Sequence, residues 1–264
     1  MKRKNLLILM SILIFGSCSK DMKDVQGKNV LQYKQKQNLY NAITKSTIYF
    51  SGYTWEIKEP STPVGPGPNY WSGDNVWVDE NGWLHLRIRK NPVTNIWECA
   101  EVSATTNFGY GTFQWKIDGP LSTLDKNVVL GLFNYSGNDR YDEMDIEFAR
   151  WGNDAWDILN YTVWPATGSL DTIPGVHTAN FTMSGTYSTH RFKRTADSVV
   201  FKSMHGFQDD DTYMFENKTF TSPSTSISTL SMPILMNLWL YEGNAPSDGQ
   251  SVEIVIHEFK YTPL

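Results

Sequence analysis

From about residue 70 onward the chain is written in short segments that alternate apolar and polar side chains. A period of two over five to eight residues is the mark of a β-strand with one face buried, and it cannot serve a helix. The run Trp83-Leu84-His85-Leu86-Arg87-Ile88-Arg89 shows the pattern plainly. It follows Val76-Trp77-Val78 and the turn Asp79-Glu80-Asn81-Gly82, and Asn-Gly is a strong hairpin signal. Similar segments predict strands over 97–105, 110–118, 127–135, 141–149, 156–163, 189–194, 198–204, 232–241 and 251–261. No long amphipathic helix and no internal repeat is visible. Residues 59–69 hold four Pro and two Gly, so they form a loop and not a central strand. Many short antiparallel strands with glycine-rich turns predict an all-β fold, a two-sheet sandwich.

Composition narrows the function. The formal net charge is -5, and no Lys/Arg cluster lies beyond the first four residues, which excludes a nucleic-acid partner. Aromatic residues make up 14%, with ten Trp and thirteen Tyr. That supply serves a core and also a binding surface built from rings. Cys99 sits in a strand-like stretch with no partner base in view and reads as a buried, inert thiol.

The most informative segment is Asp142-Glu143-Met144-Asp145-Ile146-Glu147-Phe148. In a strand, Met144, Ile146 and Phe148 share one face, while Glu143, Asp145 and Glu147 share the other. Like charges side by side are destabilising, so structure alone gives no reason for the row. Crowded carboxylates raise one another's pKa, which keeps one protonated while another is ionised. The Cα atoms of Glu143 and Glu147 would lie roughly 13 Å apart along the strand. Leaning side chains would bring the carboxyl groups to about 5–6 Å, the spacing of a retaining glycosidase. The pattern by itself leaves three readings open: a catalytic pair, a solvated acidic strand, or a Ca²⁺ site.

Three motifs together resemble glycoside hydrolase family 16, the laminarinase and lichenase group of endo-β-glucanases. Glu143-Met144-Asp145-Ile146-Glu147 resembles its Glu-x-Asp-x-Glu active-site strand, in the form without a bulge residue. Phe108-Gly109-Tyr110-Gly111-Thr112-Phe113 resembles the Tyr-Gly strand before it, and Pro233-Ile234-Leu235-Met236-Asn237-Leu238-Trp239 the late cleft strand. The resemblance implies a concanavalin A-like jelly-roll with a concave cleft and an internal stretch of β-1,3 or mixed β-1,3/1,4-glucan as substrate. It implies Glu143 as nucleophile, Glu147 as general acid/base, and Asp145 between them helping to keep Glu147 protonated. Phe133, Tyr135, Tyr141, Asn160, Asn237, Trp239 and Trp71 would contact sugar. Ser103 stands where lichenases carry an Arg, and Phe192-Lys193-Arg194 where the family carries an acidic residue and a Trp. His257 stands where some relatives hold Ca²⁺.

No cofactor is expected. Asp209-Asp210-Asp211 reads as a solvated turn, with a structural Ca²⁺ as its alternative, and the histidines lack metal or triad spacing. Two other functions remain in view: a non-catalytic surface glycan-binding protein, and a family member acting on a galactan.

The N-terminus points to export. Lys2-Arg3-Lys4 followed by an apolar run from Leu6 to Phe15 is the pattern of a signal peptide, and the run is too short to span a bilayer. Phe15-Gly16-Ser17-Cys18 resembles a bacterial lipobox, with Cys18 the lipidated residue. The expected organisation is a signal peptide over 1–17, a polar tether over 18–45 and a hydrolase domain over 46–264. The expected location is the outer membrane or surface of a Gram-negative bacterium, as a monomer with its polysaccharide. Replacing Cys18 by Ser should release the protein from the membrane fraction or block its processing, since acyl chains are what would hold it; fractionation of the two forms checks this.

Overall fold

The computed structural model describes residues 46–170 and 173–264. The predicted signal peptide, Cys18 and the tether lie outside the described residues. In chain order the strands are β1 (Thr47–Phe50), β2 (Tyr53–Ile57), β3 (Tyr70–Trp71), β4 (Val76–Val78), β5 (Leu84–Lys90), β6 (Trp97–Ala104), β7 (Gly111–Asp118) and β8 (Val128–Tyr135). They continue with β9 (Glu143–Phe148), β10 (Leu159–Val163), β11 (Gly175–Ala179), β12 (Tyr187–Arg194), β13 (Ser198–His205), β14 (Met214–Thr221), β15 (Ile234–Leu240) and β16 (Val252–Pro263). Helical structure among the described residues is limited to three single 3₁₀ turns.

A front sheet runs β1-β2-β6-β15-β8-β9-β10-β11, and a back sheet runs β4-β5-β16-β7-β12-β13-β14. Neighbours within both are antiparallel, and the sheets join where Arg89 and Lys90 pair with Glu98 and Trp97. Between the sheets the period-two pattern is satisfied. Met144, Ile146 and Phe148 of β9 are fully buried, as are Leu130 and Leu132 of β8, Met236 and Leu238 of β15, and Trp115 and Phe192 behind them. Rings cross the interface: Tyr161 stacks on Phe201 at 4.8 Å, and Trp55 meets Phe259 edge-on at 5.4 Å. Each such side chain contributes about 1.5–3 kcal/mol by leaving water.

The Asn81-Gly82 turn closes the β4–β5 hairpin as its sequence predicts. Gly82 has a φ of +80°, and Asp79 Oδ1 accepts the backbone N–H groups of Asn81 and Trp83. Five strands, β1, β2, β3, β11 and β14, were not marked by alternation. β11 has no buried residue and β14 only one, Phe220, so neither has a core-facing set to write in its sequence.

Candidate active site

Strand β9 is paired on both sides, with β8 and with β10, and neither register shifts. The regular pleat therefore sends Glu143, Asp145 and Glu147 to the outer face of the front sheet. Their neighbours in register complete a floor. Tyr135 lies opposite Glu143, Phe133 opposite Asp145, and Gly131 opposite Glu147. Gly131 in turn lies opposite Asn237, which lies opposite Glu101 on β6. A row of residues thus crosses the strands from Glu101 through Asn237 and Gly131 to Glu147. A cavity of about 480 Å³ opens over it, lined by the three carboxylates, Phe133, Tyr135, Leu235, Asn237, Trp239, Glu101, Lys58, Asp139, Gly65 and Pro66.

Glycine at 131 is a requirement of this floor. A Cβ there would stand 2.5 Å from Asn237 Oδ1, so any side chain would displace the amide.

Burial sets the electrostatics. Loss of water pushes Glu147 up to about 8, with the charge of Glu143 adding to it. Burial also raises Glu143, to about 7, while a hydrogen bond from Asp145 pulls it down and Asp139 pushes it up. Asp145 is raised well above the ordinary carboxylate range, first by burial and then by Glu143 and Glu147. Asp145 is hydrogen-bonded to Glu143, which favours the proton on Asp145 and the charge on Glu143, and the Trp164 side chain is also hydrogen-bonded to it. Burial and the charge of Glu143 both favour the proton on Glu147, and Asp145 lies between the two and is coupled to each.

Three predicted contact residues stand apart from the cavity. Trp71 is 5% exposed, its indole N–H donates to Val64 O, and its ring lies under the Lys58 ammonium at 4.1 Å. It has no open face for a sugar. Asn160 lies opposite Glu147, but its Nδ2 donates to Ala149 O and Ile158 O, and its Oδ1 accepts from Trp151 Nε1. Its amide braces the β9–β10 connection. Tyr141 sits in the turn before β9, its backbone N–H bonded to Asn138 O, and does not line the cavity.

Other residues enter that the sequence did not mark. Lys58, Glu101 and Asp139 line the cavity, and Tyr135 donates its hydroxyl to Asp139. Trp151 stands 6.3 Å from Trp239 and 5.7 Å from Tyr241, behind the residues that line the cavity. Arg194 is fully buried on the back sheet and donates to Phe108 O and Gly109 O, so it fastens the Tyr-Gly strand and takes no part in the cleft. Ser103 does face the cleft side, opposite Leu235.

The candidate Ca²⁺ positions are otherwise engaged. His257 occupies a bulge in β16 and stacks on Trp83 at 3.9 Å. Asp209 pairs with Lys116, Asp211 with Arg191 and Lys202, and Asp210 accepts from Thr212 N–H. Among the described residues no group of three or more His, Cys, Asp or Glu is placed to hold a metal ion. Cys99 is buried, its thiol pushed up to about 12 by desolvation.

The raised carboxylates carry a signed consequence. A group that binds its proton more tightly in the folded state stabilises below its unfolded pKa, and that stability is lost as pH rises through the folded value. For Glu147 the loss runs from the ordinary value of 4.5 up to about 8. His190, buried neutral and lowered to about 3, acts with the opposite sign below its ordinary 6.5. Comparison with Glu147→Gln isolates the carboxylate. The variant should lose less stability than the parent between about pH 5 and 8, as read from denaturation midpoints across pH.

No protein-family model matches the chain. A β-glucanase of Paenibacillus polymyxa is 28% identical over 111 residues, which cover 41% of this chain and 45% of that enzyme. The chain thus matches under half the length of that relative. A Bacillus licheniformis β-glucanase structure superposes with a TM-score of 0.61 at 19% identity, covering 84% of this chain and 100% of the other. A GH16 protein of the Bacteroides ovatus mixed linkage glucan PUL, solved in complex with a G4G4G3G product, gives 0.60 at 17% identity over 79% and 94%. In fold across the jelly-roll sandwich, and in sequence over the matched stretch, the chain is similar to the bacterial β-glucanases of glycoside hydrolase family 16.

Proposed function

We propose that this protein is an endo-acting, retaining glycoside hydrolase that cleaves β-linked glucan, with β-1,3 or mixed β-1,3/1,4 linkages. The observation that carries the reading is the carboxylate row itself. Glu143 and Glu147 share the cleft face of one unbroken strand, and both are desolvated into a range where acid and base forms are available near neutral pH. The relatives named as β-glucanases and the product-bound structure support the choice of glucan.

The chemistry follows from the proton positions. Glu143, its charge steadied by the hydrogen bond from Asp145, attacks the anomeric carbon. Glu147 holds a proton at neutral pH and gives it to the leaving oxygen, so no free alkoxide forms. Glu147, now ionised, takes a proton from water, which displaces Glu143 from the sugar. Phe133, Tyr135 and Trp239 offer apolar rings to the pyranose faces, and Asn237 offers an amide to a hydroxyl. An open groove lined on its floor by residues of four adjacent strands suits an internal segment of a polymer better than a chain end.

We also propose that the protein works as a monomer held at the outer membrane by acyl chains on Cys18. The motivation is the lipobox-like Phe15-Gly16-Ser17-Cys18.

Soluble protein offered laminarin, mixed-linkage glucan, agarose, carrageenan and xyloglucan should cut one of the first two into a ladder of oligosaccharides. Release of monosaccharide alone, cleavage only of a galactan, or binding without cleavage would contradict the reading. Glu143→Gln should lose about 10³-fold or more in rate while still binding glycan, because the covalent step is gone. Glu147→Ala should be partly spared on an aryl glycoside, whose leaving group needs little protonation, and azide should restore turnover.

A further inference from the structure

We propose that Lys58 is a positioning and specificity residue, an ammonium clamp that fastens the proline-rich loop and the Asn237 amide at one end of the cleft. The proposal rests on the glycan-cleft reading above.

Lys58 follows β2 directly, and its backbone N–H donates to Glu101 O at 3.0 Å. Its ammonium donates to Gly65 O at 2.7 Å and lies 2.9 and 3.0 Å from the two carboxylate oxygens of Glu101. The Trp71 ring lies beneath it at 4.1 Å. Two hydrogen bonds, to Gly65 O and Glu101 Oε2, and the ion pair with Glu101 Oε1 hold the ammonium, and its charge rests on an aromatic face. Among the described residues no other Lys or Arg lines the cavity.

The clamp acts in two directions. Outward, it ties down Gly65, which with Pro66 walls the cavity beyond Glu101. Inward, it fixes Glu101, whose side chain is 9% exposed and whose Oε2 accepts from Asn237 Nδ2 at 3.2 Å. A carboxylate so desolvated is unfavourable without a cationic partner. The bond to Glu101 also decides which way the Asn237 amide points. With Nδ2 committed to Glu101, Oδ1 faces the gap at Gly131, where it is buried and has no hydrogen-bond partner among the described residues. An unpaired buried carbonyl is costly, so this oxygen, in the same cross-strand row as Glu147 and two strands from it, would accept a sugar hydroxyl that reaches the gap at Gly131. If the amide turned over, an N–H would point there instead, and hydroxyl recognition would change. Lys58 therefore sets the acceptor pattern and the wall of the groove without touching the reacting atoms.

Lys58→Met should raise KM for the polymeric glucan about tenfold, the value of one or two lost hydrogen bonds, with kcat within about twofold. Lys58→Arg should restore a large part of the KM. The double variant Lys58→Met/Glu101→Gln removes the uncompensated buried charge, so it should recover thermal stability but not KM. Amide exchange at Val64 and Asn69, whose N–H groups close the loop on each other, should accelerate in Lys58→Met. An unchanged KM, a KM restored in the double variant, or unchanged exchange at both amides would overturn the clamp. If the parent protein cleaved no glucan, the functional reading would fail by itself, and amide exchange would still decide whether Lys58 holds the loop.

Discussion

Desolvation of three carboxyl groups on one strand is the constraint on which the rest of this structure depends. Nothing in β-sheet formation favours Glu143, Asp145 and Glu147 side by side, and the row is tolerated only because the other face of the strand is so firmly held. Met144, Ile146 and Phe148 are fully buried, and hydrogen-bonded strands flank β9 on both sides. The core therefore fixes the backbone, and the backbone forces the carboxylates together. The cost appears as raised proton affinities, which is the property that general acid catalysis requires.

The surrounding side chains divide the labour by what they touch. Asp145 is hydrogen-bonded to Glu143 and feels the charges of both Glu143 and Glu147, so the middle carboxyl group is coupled to each of its neighbours. Asn160 and Trp71 share the sheet or its margin with the cleft but use their polar atoms on the protein itself. Asn237 lines the cavity with its Nδ2 bound to Glu101 and, among the described residues, no partner for its buried Oδ1 beside Gly131. Position on the correct face is thus necessary for contact with a glycan, and it is not sufficient.

The fold was largely legible because strands with one buried face must write that face with a period of two, as Trp83–Arg89 and Glu143–Phe148 do. Edge strands such as β11 carry no such obligation, and the sequence did not mark them. The carboxylate row was legible for the same reason as the core, since it is local in sequence. Lys58, Glu101 and Asp139 were not, because their roles arise from register across several strands and from a loop whose composition announces only that it is a loop. Asn160 and Trp71 were assigned to the cleft through the resemblance; their hydrogen-bond partners are set by tertiary contacts that no local pattern records.

The central claim is that Glu143 and Glu147 act on one sugar as a close pair, nucleophile and acid/base, and not as two groups separated by an attacking water. Their placement on one face of an unbroken strand argues for a covalent intermediate and a double displacement. The most direct measurement is the anomeric configuration of the first-formed product, followed by proton NMR from the first minutes of glucan hydrolysis. The account predicts initial release of the β-anomer, with the α-anomer appearing only as mutarotation proceeds. Initial release of the α-anomer would contradict it.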